Sequence, residues 1–591
     1  MTENGVEVED YTEIGHRDPR VVMFSDGDDY KSYNESIFSN DVFSESKLKP
    51  SKLFRKLKNS FLLLGTPLLM FPLLTAERKE YRCAGCVGIM AVYWVTEIIP
   101  IPVTAMLPIV LFPLTEVLPS QIVAKEFLND VTFLFIGGLV VAMAVEKCGL
   151  HERIALKVLT LVGSQPRWIM LGFMMVTGLL SAFISNTATT AMLIPVCQSV
   201  IMQLLRSYRL HGQSVASRTE LLECGENDVP KPQPKEKKMA KGLIISICFA
   251  ANIGGTGTIT GTATNLVMLG QLSTIYPKVD IGINFITWIQ FCFPLMLVCL
   301  FTCWMILVVL FLYNGPGAAE EVTQIMHDRC AKLPKMSFAE KSVAFCFLGL
   351  LGLWVLPQIC PQQFNDVSTR YYTDATSAMI IATLLFCLPS EKPKWLLFCQ
   401  NDSPNDGKKK NSSYARLMDW KTMQDRFPWG IFLLLGGGFA LAAGVKESGL
   451  SDLIGSQLSD IGSLPLPVIQ IFFIIVSIFV TNICSNTVTV SIFLPIIATI
   501  AEEAHIHPLS LMMPVTLAAS CAFMLPVGTA PNAIAFGSGM LKISDMVVSG
   551  FVVSIVTCSL IVIYVNSLGE LIFPMNGAEF WREANETQIM L

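Results

Sequence analysis

Long apolar segments alternate with short polar connections along most of this chain. The clearest apolar segments cover residues 88–117, 131–149, 284–313, 342–357 and 467–483. A helix needs about 20 predominantly apolar residues to cross a bilayer, and most of these segments approach or exceed that length. A transmembrane β-barrel would instead show alternating segments of about 10 residues, which this pattern does not contain. The pattern therefore predicts an all-α polytopic membrane protein.

Polar stretches divide the apolar pattern into five parts. We expect a disordered, acidic, cytoplasmic tail with a basic end at 1–58, a first half at 59–313, a connecting region of loops and helices at 314–428, a second half at 429–574 and an extracellular tail at 575–591. The basic stretch 47–58 directly precedes the first apolar segment, which predicts a cytoplasmic N-terminus by the positive-inside rule.

The C-terminus carries a glycosylation sequon at Asn585. A sequon is used only outside the cell, so this one predicts glycosylation if the C-terminus is extracellular. A cytoplasmic N-terminus and an extracellular C-terminus require an odd number of spans. We expect about eleven transmembrane helices together with two re-entrant hairpins.

Composition agrees with a membrane protein and offers nothing for catalysis. Of 591 residues, 52% are hydrophobic and only 15% are charged, whereas a soluble domain is about a quarter charged. Cys83 and Cys86 form a CxxC, but neither a second pair nor a nearby histidine completes a metal site. The sequence contains no HExxH, P-loop or dinucleotide fingerprint. We therefore expect no enzyme, no cofactor and no nucleic-acid partner.

Three elements occur twice in the same order. FLFIGGLVVAMAVEKCGL at 133–150 resembles FLLLGGGFALAAGVKESGL at 432–450. The triplet SNT follows at 185–187 and at 485–487, and the loops GTATN and GTAPN then end at Asn265 and Asn532. Transporters are often built from two such repeats, with the binding site at the repeat interface. The motifs alone do not distinguish parallel from inverted repeats, and we expect inverted ones.

The SNT triplets lie between apolar stretches, where their chemistry is unusual. Ser, Asn and Thr are preferred at helix N-caps, so each triplet predicts the polar tip of a helical hairpin. Non-helical backbone is tolerated at membrane depth only where it is buried in protein or lines a wet cavity. Helix N-termini suit an anion, and freed carbonyl and hydroxyl oxygens suit Na⁺.

The two loops predict broken helices. Gly261 and Gly528 allow close backbone approach, and Pro531 lacks the N–H that a continuous helix requires. We interpret the glycine-rich runs 136–138 and 435–438 as packing contacts, as is usual for small residues in membrane helices.

Three carboxylates lie within or beside apolar segments, where ionisable groups are functional candidates. Glu97 precedes two prolines and is expected at a bend of the chain. Glu146 and Glu447 adjoin Lys147 and Lys446 near helix ends, so pairing at the membrane interface is an equal alternative to a functional role.

The paired SNT triplets, each followed by a Gly-Thr-x-x-Asn loop, resemble the divalent anion:sodium symporters over about Phe61 to Pro574. The animal sodium-coupled di- and tricarboxylate transporters and the INDY-type citrate transporters are the most similar branches. The resemblance implies a homodimer in which each protomer has a scaffold domain and a transport domain. It also implies an elevator mechanism, in which the transport domain slides across the membrane with its substrate.

The resemblance also implies roles for the repeated residues. The first sodium site would comprise Ser185, Asn186, Gly261 and Asn265. The second would comprise Ser485, Asn486, Gly528 and Asn532. The substrate carboxylates would contact Asn186, Thr187, Thr262, Asn486, Thr487 and Thr529.

We expect a secondary active transporter that imports citrate, succinate and related Krebs-cycle intermediates with sodium across the plasma membrane. The intact second SNT favours carboxylates over sulfate, the substrate of another branch. The loops depart from the pattern of strongly coupled members, with Thr264 in the first and Gly528-Thr529-Ala530-Pro531 in the second. Sodium-independent exchange of INDY type is therefore the first alternative, and sodium–sulfate symport is the second. The expected partners are the small carboxylate, membrane lipid and a second copy of the chain.

Overall fold

The computed structural model describes most of the apolar part of the chain. The described residues are 50–160, 165–212, 233–277, 279, 281–313, 334–359, 372–391, 415–454, 464–573, 575, 577–578 and 580–582. The predicted acidic tail at 1–45 and the sequon at Asn585 lie outside them. Residues 1–61 and 62–591 form separate units, and the site described below belongs to the second.

The described residues are almost entirely helical. The helices before residue 313 are α1 Pro50–Leu74, α2 Lys79–Thr96, α3 Ile101–Ala105, α4 Leu107–Leu114, α5 Ser120–Phe127, α6 Asp130–Cys148, α7 Leu150–Thr160, α8 Pro166–Ser181, α9 Asn186–Gly212, α10 Pro234–Gly254, α11 Ala263–Ile275 and α12 Phe285–Leu307. Two 3₁₀ turns, Gly255–Gly257 and Ile259–Gly261, connect α10 to α11.

The remaining helices form the connecting region and the second half. They are α13 Phe338–Ile359, α14 Asp374–Cys387, α15 Trp420–Arg426, α16 Trp429–Glu447, α17 Leu466–Thr481, α18 Asn486–Glu503, α19 Pro508–Ala519, α20 Ala530–Gly537, α21 Ile543–Val565 and α22 Gly569–Ile572.

Eight helical segments within the described residues are long and apolar enough to cross a membrane. They are Ser120–Cys148, Asn186–Leu205, Pro234–Gly257, Phe285–Leu312, Phe338–Val355, Trp429–Glu447, Asn486–Glu503 and Ile543–Ile572. Six shorter apolar helices accompany them. This composition confirms the prediction of an all-α polytopic membrane protein, while the count of about eleven spans stays a prediction.

The apolar segment 88–117 does not form one continuous helix, although its length would be enough for a span. Helix α2 ends at Glu97, whose backbone is left-handed with φ of 48°, and α3 starts only after Pro100. Pro100 and Pro102 lack the N–H groups that would continue α2, so the helix has to end before them. The predicted bend at Glu97 is confirmed.

Helices α6 and α16, which contain the glycine-rich runs, each pack against helices that are distant from them in the sequence. Helix α16 lies against α2 to α5, and α6 lies against α13, α14 and α15. An added Cβ at Gly437 would lie 2.3 Å from the Ala105 carbonyl oxygen, and one at Gly137 would lie 2.7 Å from the Cβ of Ala378. Any larger residue would force these helices apart, which confirms the packing interpretation of the glycine runs.

Two ion pairs fasten the C-terminal end of α6 to the segment around α15. Glu146 pairs with Arg426 at 3.0 Å, and Lys147 pairs with Asp419 at 2.6 Å. The Lys147 ammonium, together with the Thr422 backbone N–H, holds the pKa of Asp419 well below its usual value. Glu146 and Lys147 are therefore paired, each with the α15 segment rather than with each other.

An aromatic cluster joins the last described residues to the turn between α18 and α19. The Phe580 ring lies 5.5 Å from Tyr276 and 4.7 Å from His507, measured between ring centroids. Trp581 Nε1 donates a hydrogen bond to the Ile506 carbonyl at 3.1 Å. The described part of the predicted C-terminal tail thus packs against the body of the protein.

His507 gives this cluster a pH dependence. Its Nδ1 accepts a hydrogen bond from the Leu509 N–H at 3.2 Å, and burial lowers the pKa of His507 from 6.5 to about 4. Between these two values the unfolded chain binds more protons than the folded chain, so the stability contributed by neutral His507 is lost as the pH falls. The loss amounts to about 1 kcal/mol at pH 5.5.

We expect purified wild-type protein to melt at a lower temperature at pH 5.5 than at pH 7.5. His507→Asn keeps an acceptor for the Leu509 N–H but cannot be protonated, so its melting temperature should fall less between the same two pH values. The measurement is thermal unfolding of both proteins at each pH. An equal decrease in the two proteins would contradict the role of His507.

Candidate functional site

Both SNT triplets lie at the tip of a helical hairpin, as the sequence predicts. The first hairpin consists of α8 and α9, and the second consists of α17 and α18. Ser185 Oγ accepts a hydrogen bond from the Ala188 N–H at 3.2 Å, which is the predicted N-cap contact. Ser485 occupies the equivalent position without a side-chain cap.

A hydroxyl four residues before each triplet holds the asparagine of that triplet. Ser181 Oγ lies 2.7 Å from Asn186 Oδ1 and 2.8 Å from the Ala251 carbonyl oxygen. Thr481 Oγ1 repeats this arrangement in the second hairpin, at 2.7 Å from Asn486 Oδ1 and 2.6 Å from the Ala519 carbonyl oxygen. The two halves therefore build the same local structure.

These tip contacts contain more oxygen lone pairs than protons. Each hydroxyl has a single proton, but it lies within hydrogen-bonding distance of two oxygen acceptors. At the second tip the Thr481 proton is shared between Asn486 Oδ1 and the Ala519 carbonyl, whereas at the first tip the Ala251 carbonyl also accepts the Gly255 N–H. A surplus of amide, hydroxyl and carbonyl oxygens around a broken helix suits a hard cation such as Na⁺.

The asparagine of each Gly-Thr-x-x-Asn loop binds the backbone where the helix breaks. Asn265 Nδ2 donates to the carbonyl oxygens of Gly255 at 3.2 Å and Thr258 at 2.8 Å, ten and seven residues earlier in the chain. Asn532 Nδ2 donates to the carbonyl oxygens at the same offsets, 2.8 Å from residue 522 and 3.1 Å from residue 525. Each asparagine thus replaces helical hydrogen bonds that the loop has lost.

The oxygen of Asn265 is available for a cation. Asn265 is fully buried, and its Oδ1 has no hydrogen-bond partner among the described residues. Because Nδ2 faces two carbonyl oxygens, which only accept, rotation of the amide cannot relieve the unpaired oxygen. A buried amide oxygen without a partner costs free energy unless a ligand occupies it. This oxygen is chemically suited to bind the sodium ion that the family resemblance implies here.

Each loop lies directly against the hairpin tip of its own half. An added Cβ at Gly261 would lie 2.5 Å from the Gly255 carbonyl oxygen and 2.9 Å from that of Ala182. At Gly528 the nearest atom would be the Asn482 carbonyl oxygen at 3.1 Å. The predicted close approach is confirmed at Gly261, whereas at Gly528 a methyl group would meet a tight contact that a small shift could relieve.

Burial divides the predicted site residues into two groups. The residues of the interior are Gly261, Asn265, Thr487, Gly528 and Asn532. The residues with partial or full exposure are Ser185, Asn186, Thr187, Thr262, Ser485, Asn486 and Thr529. The predicted site residues thus comprise a buried group that includes amide and carbonyl oxygens, and a more exposed polar group. Thr187 and Thr487 differ, since Thr187 is exposed and Thr487 is only 8% exposed.

Four helices begin at the four motifs, and helices from the first half pack against helices from the second half. Helices α9 and α18 begin at Asn186 and Asn486, while α11 and α20 follow Thr262 and Thr529. Helix α9 packs against α20 and α18 packs against α11. The motifs carry no charged side chain, so an anion would be bound by helix N–H groups, amides and hydroxyls. A cation bound by the buried oxygens would supply the positive charge that an anion otherwise lacks at this site.

Several residues of the site are not part of the motifs. Ser181 and Thr481 could have been found because both are hydroxyl residues four positions before the triplet. Asn252 and Ser520, which contact the opposite loop, follow matching Ala-Ala pairs at 250–251 and 518–519. Among the described residues, no group of three or more His, Cys, Asp or Glu side chains could hold a metal ion.

Comparison with known proteins places these motifs in context. The family model described as "Sodium:sulfate symporter transmembrane region" matches residues 53–575. The chain is 53% identical to the sodium-dependent high-affinity dicarboxylate transporter 3 of Caenorhabditis elegans, over 93% of this chain and 94% of that protein. It is 38% identical to the Na⁺/citrate cotransporter of Rattus norvegicus, over 90% and 98% of the two chains. It is also 38% identical to the human Na⁺/dicarboxylate cotransporter 3, over 88% and 93%.

The close contact at Gly261 predicts a graded effect of alanine in the two loops. Gly261→Ala would place a methyl group against two backbone oxygens that cannot move independently, so we expect a loss of about 1–3 kcal/mol of stability. Gly528→Ala should cost less, and Gly537→Ala, with no atom within 4 Å of the added Cβ, should behave as wild type. The measurement is the melting temperature and the yield of folded protein. Equal melting temperatures for all three variants would contradict this packing.

Proposed function

Because the chain belongs to the divalent anion:sodium symporter family, whose members are transporters and not enzymes, we propose that it imports di- and tricarboxylates together with sodium. Citrate, succinate and related Krebs-cycle intermediates are the proposed substrates. Relatives covering nearly the whole chain are named as sodium-dependent dicarboxylate or citrate transporters. The intact Ser485-Asn486-Thr487 triplet supports carboxylates over sulfate.

One observation carries the proposal: two oxygen-rich, uncharged clusters of the same construction, one in each half. In each cluster a hydroxyl contacts the tip asparagine and a backbone carbonyl, and a second asparagine secures the adjacent loop. Such a cluster can hold Na⁺ by replacing its hydration shell with protein oxygens. The cation then provides the positive charge that an anionic substrate requires.

The residues of the motifs would have two roles, sodium binding and substrate binding. Sodium would be bound in the first half by Ser185, Asn186, Gly261 and Asn265. In the second half it would be bound by Ser485, Asn486, Gly528 and Asn532. The substrate carboxylates would accept hydrogen bonds from the exposed helix tips and from the side chains of Asn186, Thr187, Thr262, Asn486, Thr487 and Thr529.

The wider mechanism follows the same family. We propose a homodimer in the plasma membrane whose protomers move the two hairpins and loops as one transport domain past a scaffold. A cytoplasmic N-terminus and an extracellular, glycosylated C-terminus at Asn585 complete the proposed topology.

The first test is uptake of labelled citrate and succinate by cells expressing the chain, with external sodium replaced by choline. If sodium occupies the oxygen-rich clusters, its removal leaves the helix tips without the charge that holds the anion. Uptake should therefore fall to the level of cells that lack the protein.

Two other results would each replace the proposal. Uptake that persists in choline would indicate sodium-independent exchange of INDY type. Absence of uptake in both media, despite protein at the cell surface, would direct the assay to labelled sulfate and to sodium–sulfate symport.

A second test concerns the tip asparagines. Asn186→Ala and Asn486→Ala each remove an amide that contacts Ser181 or Thr481 and lies beside the proposed ligands. Losing hydrogen bonds to charged ligands should reduce uptake by about tenfold or more. Surface expression should remain close to that of wild type.

The matched control is Asn59→Ala, because Asn59 is exposed on α1 and outside the motifs. It should transport normally. If both tip variants retained wild-type uptake with an unchanged KM, the proposed site would be wrong.

A further inference from the structure

Asn252 belongs to the first half of the chain, but its side chain binds the loop of the second half. It lies near the C-terminal end of α10 and is 1% exposed. Its Nδ2 lies 3.4 Å from the Ala522 carbonyl oxygen, 3.3 Å from Thr529 Oγ1 and 3.3 Å from Asn532 Oδ1. The sequence motifs do not include Asn252, and the function proposed above gives it no role.

The chemistry of these neighbours sets the orientation of the Asn252 amide. The Ala522 carbonyl can only accept a hydrogen bond. Asn532 uses its own Nδ2 for the carbonyl oxygens of residues 522 and 525, so it presents its Oδ1 to Asn252. Asn252 must therefore present its N–H₂ group. Its Oδ1 points away from these acceptors and has no partner among the described residues.

The equivalent residue of the second half makes the reciprocal contact. Ser520 ends α19, and its Oγ lies 2.8 Å from Thr264 Oγ1 in the loop of the first half. Asn252 and Ser520 each follow an alanine, and the carbonyl oxygens of those alanines lie in the hairpin tips of their own halves, beside Ser181 and Thr481. Adjacent residues thus contact the tip of one half and the loop of the other.

We propose that Asn252 and Ser520 are positioning residues that couple the two cation sites. The inference rests on the proposed sodium-coupled function and names residues that would make the two sites interdependent. When a cation binds the first tip, it competes with Ser181 for Asn186 Oδ1, so the Ser181 hydroxyl turns to the Ala251 carbonyl. Movement of that carbonyl shifts the neighbouring Asn252 amide, which positions Thr529 and Asn532 in the second loop. Ser520 transmits the reverse effect to Thr264.

The two directions of coupling are unequal. Asn532 Oδ1 accepts an N–H of Asn252, whereas Asn265 Oδ1 has no partner among the described residues. The first cluster therefore offers its amide oxygen directly. In the second, Asn252 occupies one lone pair of Asn532 Oδ1 and fixes the direction of the other, which is left for a cation. Since binding at one site alters the affinity of the other, sodium activation of transport should be cooperative.

The test is a sodium activation curve for carboxylate uptake at saturating substrate, corrected for the amount of protein at the surface. The wild-type curve is measured first and should be sigmoidal. In Asn252→Ala we expect a Hill coefficient below that of the wild type and a half-saturating sodium concentration about three- to tenfold higher, as one or two lost hydrogen bonds imply. The KM for succinate at saturating sodium should change less than twofold.

Ser520→Ala removes only the hydrogen bond to Thr264 of the other half. Its half-saturating sodium concentration should therefore rise by a smaller factor. Ser246→Ala is the matched control, because Ser246 is buried on the same helix and its hydroxyl bonds only locally, to the Leu243 carbonyl at 2.8 Å. It should leave the curve unchanged. If Asn252→Ala does not reach the surface, Ser520→Ala alone decides the matter.

The outcomes separate this inference from the proposed function. Wild-type uptake without sodium dependence would overturn both. Sodium-dependent wild-type uptake with an unchanged Hill coefficient and half-saturating concentration in Asn252→Ala and Ser520→Ala would overturn the coupling and leave the proposed function standing. A lower maximal uptake rate in Asn252→Ala, with the Hill coefficient and half-saturating sodium concentration unchanged, would also contradict the coupling. Asn252 would then contribute to structure alone. Sodium titration of the melting temperature of the purified variants provides the same comparison without transport.

Discussion

Backbone groups released at a break in a buried helix need new hydrogen-bond partners, and this requirement determines the structure around the site. In an apolar environment each unpaired carbonyl or amide is costly. Asn265 and Asn532 meet the requirement by donating to carbonyl oxygens ten and seven residues earlier. Because their N–H groups are used in this way, their oxygens face the remaining polar space. The break is thereby stabilised and becomes a source of oxygen ligands.

The sequence predicts the parts of this arrangement that recur. The triplets at 185–187 and 485–487 predict polar hairpin tips, and the loops ending at Asn265 and Asn532 predict broken helices, since small polar residues and glycine have few other uses between apolar segments. Partners distant along the chain were not predictable. Asn252, for example, contacts residues of the second loop more than 260 positions away. The break in the apolar segment 88–117 was predictable, because Pro100 and Pro102 follow Glu97.

The two motif sets agree more closely in backbone hydrogen-bond offsets than in side-chain type. Asn252 is matched by Ser520, Thr264 by Pro531 and the exposed Thr187 by the buried Thr487. The backbone carbonyls bound by Asn265 and Asn532 keep the same offsets throughout. Two clusters with the same backbone offsets can therefore differ in hydrogen-bonding capacity, which two strictly symmetric clusters could not do.

Early helices of the chain pack against helices that are synthesised much later, and this has a consequence for folding during synthesis. Helices α2 to α5 lie against α16, which follows them by some 300 residues. Until α16 leaves the ribosome, the faces that α3 and α5 present to it have only lipid or chaperones as neighbours. At about 5–20 residues per second this interval lasts on the order of 15–60 seconds. Maturation of this protein therefore depends on how long its early helices can wait in the membrane without binding the wrong partner.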